Sequence, residues 1–192
     1  MTAGRSRDRS PDATARDGGG AGAEAPQAPG LRGIALRRPT EADYPAIIGV
    51  VDDWWGGRDL SRLLPRLWLQ HFTGTSWLAE LPDGRIAGFL VGFLSPDHPD
   101  TAYCHMIATS PNLRRRGLGL TLYERFFDDA RAAGRSIVKA VTWPGNRTSI
   151  AFHRAIGFEV DEGPGSQRLY GTPARAGYDF DREDRAILVR RV

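Results

Sequence analysis

Residues 107–120 read Ile107-Ala108-Thr109-Ser110-Pro111-Asn112-Leu113-Arg114-Arg115-Arg116-Gly117-Leu118-Gly119-Leu120, and the rest of the chain is organised around this segment. A β-rich run, Thr101 to Ala108, leads into it. Apolar side chains at helical spacing follow it, at Leu122, Tyr123, Phe126, Phe127 and Ala130, in a pattern that ends near Gly134. The pattern predicts a strand, a basic glycine-containing turn, and a helix.

The start of this predicted helix is suited to an anion. The first backbone NH groups of a helix have no acceptor within it and lie at the positive end of its dipole. Gly117 and Gly119 lack side chains that would hold a phosphate away, and Arg114, Arg115 and Arg116 add positive charge. We therefore expect a pyrophosphate here, although glycine can serve turn geometry alone and an arginine run is often a solvated face.

Composition narrows the function classes. A chain of 192 residues is expected to form a single domain, and its net charge of +3 at pH 7 favours local basic patches over a nucleic-acid surface. Cys104 is the only cysteine, which favours a reducing compartment, the cytoplasm. The apolar run Ile86 to Leu94 is too short to span a membrane, and the four histidines are too dispersed to predict a metal site.

Residues 1–30 differ in composition from the rest. They carry Gly, Ala, Pro, Ser, Arg and Asp with almost no bulky apolar residues, so they cannot bury enough surface to order themselves. They also lack the apolar segment of a secretion signal. We expect a disordered tail over residues 1–30 and one domain over residues 31–192.

The first half of that domain alternates between strand and helix patterns. Thr40 is suited to cap a first helix that ends near Trp54, and Pro82-Asp83-Gly84 is a strong hairpin turn. The predicted elements are a strand at Ile34–Arg37, a helix from Thr40 to Trp54, a second helix from Leu63 to Phe72, and strands at Ser76–Leu81 and Arg85–Leu94.

The second half predicts three more strands and a short helix: Ile137–Trp143, a helix from Asn146 to Ile156 closed by Gly157, a strand beginning Phe158-Glu159-Val160, and a last strand at Ala186–Val189. Between Val160 and the last strand we could assign no path. The whole predicts a mixed α/β (α+β) fold: a central, mainly antiparallel sheet of about six to seven strands, with helices on both faces.

Two motifs resemble the GNAT superfamily of N-acetyltransferases. Arg114-x-x-Gly117-x-Gly119, between a strand and a helix, is similar to the family's acyl-CoA signature. It lacks the third glycine of the dinucleotide fingerprint and the Gly-Lys-Ser/Thr of a Walker loop. Asn146 after a strand, followed by the segment Ala151-Phe152-His153-Arg154-Ala155-Ile156-Gly157-Phe158, also resembles this family. The resemblance covers roughly residues 34–160.

This resemblance implies acetyl-CoA as cosubstrate and direct transfer of acetyl to an amine in a ternary complex. The pyrophosphate would lie on residues 114–120, including Leu118 and Leu120, and pantetheine on Ile107, Ala108, Thr109 and Asn146. By the same analogy the NH of Ile107 stabilises the oxyanion. Asn146 could equally be only a helix N-cap.

Strand alternation predicts that Tyr103, His105 and Ile107 share one face, which makes His105 the best candidate for the general base. The alternative is a hydrogen-bonded core histidine. Cys104 is expected on the opposite face, where an acetyl-cysteine intermediate is disfavoured. His153 occupies the position of a tyrosine that protonates the CoA sulfur in many members, so it is a candidate general acid or a packed ring.

The acceptor is expected to be a small primary amine or amino acid. Tryptophans and carboxylates suit a compact cation, and the candidate residues are Trp54, Trp55, Asp53, Glu80 and Tyr103. The loop from Ser95 to Thr101 is similar to the matching loop of diaminobutyrate acetyltransferases. The alternatives are a protein N-terminal or lysine acetyltransferase, a non-catalytic acyl-CoA sensor, and a nucleic-acid-binding protein. Family members are often dimers, so a homodimer stays open.

Overall fold

A computed structural model describes residues 31–179 and 183–192; the tail predicted for residues 1–30 lies outside the described residues. The helices and strands, in chain order, are β1 (Ala35–Arg37), α1 (Tyr44–Trp54), α2 (Leu67–His71), β2 (Trp77–Glu80), β3 (Ile86–Leu94), β4 (Thr101–Thr109), α3 (Leu118–Ala132), β5 (Ile137–Thr142), α4 (Arg147–Ala155), β6 (Glu159–Val160), β7 (Gln167–Leu169), β8 (Thr172–Ala174) and β9 (Ala186–Arg191).

Over the described residues, seven strands form one sheet in the order β1-β2-β3-β4-β5-β9-β6, and β7 and β8 form a separate hairpin. Among the described strands of this sheet, β4 and β5 are the one parallel pair, and the other neighbours are antiparallel. The parallel pair follows from the connection, because α3 carries the chain back to the starting edge of β4. The predicted mixed, mainly antiparallel sheet is confirmed.

The sheet buries apolar side chains on both faces. One face packs against α3 and α4, with Leu122, Phe126 and Phe158 in its core. The other packs against α1 and α2, with Ile47, Leu69 and Phe89 in its core. Helices therefore cover both faces, as the sequence predicts.

The predicted helix from Leu63 to Phe72 is wrong as a single element. The chain forms a 3-10 turn at Ser61–Leu63 and then the short α2. Pro65 explains the break: its ring disfavours helical geometry in the preceding residue, and Leu64 has φ −123° and ψ 64°. The break leaves the carbonyl of Leu63 free to accept a hydrogen bond from the side chain of His105.

The segment that had no predicted path forms the β7–β8 hairpin. An isolated bridge between Arg175 and Arg185 then ties the end of the hairpin to the chain just before β9. The segment therefore returns to the end of β5, because Ala186 at the start of β9 pairs with Thr142. Among the helices of the described residues, none is both long and apolar enough to cross a bilayer.

Candidate active site

A cleft opens between β4 and β5. Their parallel pairing runs from Thr101 with Ile137 to Tyr103 with Lys139, and no further partners join them in the described chain. Beyond that point β4 continues to Thr109, while the remaining residues of β5 pair with β9. The second half of β4 therefore presents an open backbone edge.

The register with β3 shows which backbone groups face that cleft. The NH of Ser110 donates to the carbonyl of Ala87 over 2.8 Å. In an antiparallel ladder, successive residues point their NH and C=O groups to alternate sides. Ala108, paired with Phe89, thus points its groups at β3, whereas Ile107 and Thr109 point theirs into the cleft.

This arrangement agrees with Ile107 as the candidate oxyanion donor. Of the three backbone positions expected to meet pantetheine, Ala108 needs correction, because its NH and C=O are directed at β3. Ile107 and Thr109 remain candidates for backbone contacts with pantetheine.

A β-bulge changes the expected alternation of side chains. The register with β3 shifts so that Val91 pairs with Met106 and Gly92 with Cys104, which leaves His105 as the extra residue. Ile107 packs against the α3 core, while His105 stacks on Trp68 of α2. The prediction that Ile107 shares the face of His105 is therefore wrong. Tyr103 does share it, because its ring stacks on Phe93, which lies beside Trp68.

His105 is held as an oriented, neutral imidazole. Its Nε2 lies 2.7 Å from the carbonyl oxygen of Leu63, and its ring is 4.0 Å from that of Trp68. A carbonyl can only accept, so Nε2 carries a proton. Burial lowers the pKa of His105, while the Leu63 carbonyl and the Asp179 carboxylate act in the opposite direction. In the neutral form, the lone pair is therefore on Nδ1.

His153 lies in the core between α3 and α4 and is 5% exposed. Its Nδ1 donates to the carbonyl of Ser149 at 2.8 Å, and its Nε2 lies 2.7 Å from the hydroxyl of Tyr123. Because Nδ1 carries the proton, Nε2 accepts from Tyr123. Burial lowers the pKa of His153. Both ring nitrogens are occupied, so the structure favours the packed ring over the general acid.

Cys104 is on the opposite side of β4 from His105. It lies in the α3 core, to which Tyr123 also belongs. Burial raises the pKa of its thiol to about 12. A protonated, buried thiol is a poor nucleophile, which fits the expectation that Cys104 carries no acetyl group.

The turn before α3 has the geometry that an anion site needs. Gly117 is the N-cap, with φ 91°, and its carbonyl accepts the NH of Thr121 at 3.0 Å. The NH groups of residues 118–120 precede that first helical bond, so they have no acceptor within α3. Arg115 and Arg116 are exposed beside them. Arg115 also has a positive φ of 64°, unusual for a residue with a side chain.

Two residues of the motif also make contacts within the protein. The guanidinium of Arg114 donates to the carbonyl of Trp54 over 2.6 Å, which ties the turn to the end of α1. A Cβ added to Gly119 would lie 3.0 Å from the ring of Phe152, so Gly119 also allows α3 to pack closely on α4. The glycine thus serves helix packing in addition to any ligand.

Asn146 is the N-cap of α4. Its Oδ1 accepts the backbone NH of Ser149 at 3.1 Å. The structure therefore shows the capping role, and the side-chain NH₂ group is the part of Asn146 left to serve a ligand.

Most of the predicted acceptor residues are engaged elsewhere. Trp54 and Trp55 pack on Phe89, with ring centroids 6.1 Å and 6.5 Å away. Asp53 is exposed. Glu80 forms an ion pair with Arg37 at 2.6 Å and pairs in the sheet with Ile86, several residues along the strands from the level of His105. Of that set, Tyr103 is the residue that the structure brings to His105.

Sequence reasoning missed the residues just before β9. Asp179 acts on the pKa values of both His105 and Tyr103, and its Oδ2 lies 2.6 Å from the Nε of Arg185. Arg185 also contacts Glu183, which reaches Arg62 next to Leu63 at 3.7 Å. This run of charges ties the segment to the turn that holds His105. The stretch has no helical or strand period that could have revealed it.

In the part of the chain that the structure describes, no three His, Cys, Asp or Glu side chains come together in a group that could hold a metal ion. The site therefore consists of a β4–β5 cleft, a glycine-opened helix start at one end, and a neutral histidine on the α2 face.

Comparison with known proteins identifies the family to which this fold and site belong. Residues 44–158 match the model of the Acetyltransferase (GNAT) family. An L-2,4-diaminobutyric acid acetyltransferase of Nocardia farcinica is 38% identical over 90 residues, 47% of this chain and 46% of the relative. A protein of the same name from Bordetella parapertussis is 27% identical over 149 residues, 77% of this chain and 80% of the relative. For the first relatives, the match thus spans about half of their length.

Two solved structures share the fold. The diaminobutyrate acetyltransferase of Paenibacillus lautus, in complex with L-2,4-diaminobutyric acid and coenzyme A, has a TM-score of 0.58 and 21% identity over 81% of this chain and 93% of its own. An N-acetyltransferase of Thermoplasma acidophilum in complex with coenzyme A has a TM-score of 0.63 and 15% identity over 83% and 99%. At these identities the likeness shows the fold alone.

Proposed function

The chain belongs to the GNAT family of acetyltransferases, and from this premise we propose that it is an acetyl-CoA-dependent N-acetyltransferase acting on the amine of a small amino acid. The observation that carries the proposal is the open edge of β4, whose Ile107 and Thr109 backbone groups face a cleft leading to the start of α3. The relatives named L-2,4-diaminobutyric acid acetyltransferases make L-2,4-diaminobutyrate the first acceptor to test.

The described residues fit acetyl-CoA, which supplies an acetyl group activated as a thioester. We assign its pyrophosphate to the NH groups of residues 118–120 beside Gly117, with positive charge from Arg115 and Arg116. Ile107 and Thr109 would hold the pantetheine from one lip of the cleft, and the side-chain amide of Asn146 from the other. Arg114 holds the turn against α1 and adds its charge.

Two groups of β4, the His105 side chain and the Ile107 NH, carry out the chemistry. An alkylammonium, with a reference pKa of about 10, must lose a proton before its lone pair can attack. His105 accepts that proton on Nδ1, directly or through a water, because Nε2 is committed to Leu63. The NH of Ile107 donates to the carbonyl oxygen on which negative charge develops. As the C–N bond forms, the C–S bond of the thioester breaks and CoA leaves as a thiolate, which takes up the second proton released by the nitrogen, while His105 returns the first proton to solvent. Both groups belong to the part of β4 that lies beyond its recorded pairing with β5, and the bulge in the pairing with β3 lies at His105.

His153 has a structural role and takes no part in the chemistry. As a neutral ring bonded to Tyr123 and Ser149, it holds α4 against α3 and so fixes the lip that carries Asn146. The single buried cysteine agrees with a reducing compartment, and we propose the cytoplasm.

The test combines binding and turnover on the full chain. Calorimetry should detect binding of CoA, and acetyl-CoA with L-2,4-diaminobutyrate should release free thiol. His105→Gln should keep CoA binding and lose turnover, whereas the matched control His98→Gln, at an exposed histidine in the loop before β4, should keep both. A panel with a lysine peptide and a free peptide N-terminus tests other acceptors. Binding without thiol release from any amine would favour a sensor, and absence of CoA binding would refute the proposal.

A further inference from the structure

Two exposed aromatic side chains lie together just beyond the end of β5. Trp143 is 41% exposed and Tyr170 is 60% exposed, and their ring centroids are 5.0 Å apart at 55°. Single exposed apolar residues are common, but a paired aromatic surface is the kind of patch that recognises ligands. Neither ring was among the residues that the sequence singled out for the site.

The sheet places Trp143 at the edge of the cleft between β4 and β5. Where β4 and β5 pair, Tyr103 is opposite Lys139, an offset of 36 residues. Beyond that pair the two strands diverge, and β5 ends at Thr142. Trp143 follows directly, so it lies on the lip of the cleft opposite the second half of β4, which carries His105 and Ile107.

The loop after β5 holds the Trp143 ring in place. A Cβ added to Gly145 would lie 2.3 Å from that ring, so the indole lies directly on the glycine backbone. The carbonyl of Trp143 accepts the NH of Asn146 at 2.9 Å, which joins the ring to the cap of α4. The exposed indole is therefore a positioned surface.

Tyr170 occupies a backbone conformation that tyrosine disfavours. It has φ 52° in the turn between β7 and β8, followed by Gly171 with φ 82°. Such two-residue turns prefer Asn or Gly at this position. Among the described residues, Arg115 and Tyr170 are the two non-glycines with positive φ, and Arg115 lies in the proposed CoA turn. Strain of this kind persists where a side chain is needed for function.

Tyr170 also belongs to the segment that approaches His105 from the acceptor side. The β7–β8 hairpin is tied to Arg185 by the bridge from Arg175, and Arg185 also contacts Glu183. Glu183 in turn reaches Arg62, the neighbour of Leu63, whose carbonyl holds His105. The phosphates of CoA are assigned to the basic turn before α3. Ring faces carry negative potential and attract cations, so they suit an ammonium group better than a phosphate.

We propose that Trp143 and Tyr170 form an aromatic wall of the acceptor site that binds an alkylammonium group of the substrate against its ring faces. This inference rests on the proposed function and names a determinant of its acceptor specificity. For a diamine such as L-2,4-diaminobutyrate, one amine loses its proton to His105 and the other, still charged, lies on the wall.

The strained backbone of Tyr170 allows a sharp test, because glycine removes the ring without harming the turn. In the full chain, Tyr170→Gly should raise the KM for L-2,4-diaminobutyrate about three- to tenfold, the size expected for one cation–ring contact. CoA affinity by calorimetry should be unchanged, and the melting temperature should stay within about 2 °C. The conservative variant Tyr170→Phe keeps the ring and should restore the wild-type KM.

The possible results distinguish failure of the aromatic wall from failure of the acetyltransferase function. If the wild-type protein turns over and Tyr170→Gly has the same KM, the aromatic wall is refuted while the acetyltransferase stands. If Tyr170→Gly loses CoA affinity in proportion, the rings contact CoA and the acceptor assignment is wrong. If the wild-type protein binds CoA but acetylates no amine, the proposed function itself fails, and the wall fails with it.

Discussion

Replacing Tyr123 by phenylalanine removes one buried hydroxyl and tests the assignment of His153. Tyr123 is fully buried, and its hydroxyl is 2.7 Å from the Nε2 of His153. Since Nδ1 of His153 donates to Ser149, Nε2 is a lone pair that needs a donor. Tyr123→Phe keeps the ring packing and leaves this lone pair without its donor in the core.

The size of the effect follows from that unsatisfied acceptor. A buried polar group left without its partner costs about 1–3 kcal/mol. In a chain of this length, each 1 kcal/mol lowers the melting temperature by roughly 2–4 °C. We therefore expect a fall of about 2–12 °C, accompanied by a lower urea midpoint at an unchanged slope. The matched control is Tyr170→Phe, whose hydroxyl lies on a 60% exposed side chain and should have little effect.

Catalysis provides the opposing measurement. If His153 is a core brace, Tyr123→Phe and His153→Gln should reduce stability while each retains most of the wild-type kcat at a temperature well below melting. If His153 protonates the leaving sulfur, His153→Gln should lose about 10²–10⁴-fold in kcat. A Tyr123→Phe protein as stable as wild type, or such a loss of kcat in a folded His153→Gln, would refute our reading.

Three further changes test other parts of the structure. His105→Gln should lower kcat/KM about 10²–10⁴-fold. Because burial lowers the pKa of His105, the wild-type enzyme should lose its neutral base only as the pH falls through a value below 6.5. If the same decrease in rate at acid pH persists in the variant, His105 is not the base. Gly117→Ala should weaken CoA binding and cost about 1 kcal/mol in urea unfolding, because its φ is 91°. Gly92→Ala should cost about 1–3 kcal/mol, since the new Cβ would lie 2.7 Å from Phe126; an unchanged midpoint would show that the bulge can relax.

The local elements could be predicted from the sequence. The strand before Ser110 and the apolar spacing after Gly117 gave β4 and α3, and the Pro82-Asp83-Gly84 turn gave the β2–β3 hairpin. Asn146 at the start of α4 was likewise visible as a cap. These features depend on residues a few positions apart, through helical period, strand propensity and capping. The break at Pro65 has the same local origin, and its signal was present but missed.

The candidate site depended on contacts between distant segments. The bulge at His105 exists because β4 pairs out of step with β3 at Gly92, and it reverses which side chains share a face. His153 gains its partner from Tyr123, thirty residues earlier in the chain. Asp179 is held by Arg185, which forms a bridge with Arg175, in a segment without periodicity.

The physical reason is the range over which each interaction acts. Backbone propensity and the spacing of apolar residues are set within a few positions, so the strands, the helices and the glycine-containing turn before α3 could be predicted from the chain itself. Strand register, the opening between β4 and β5, and the protonation and orientation of the histidines arise only when the sheet is assembled, because each depends on partners that the fold brings together.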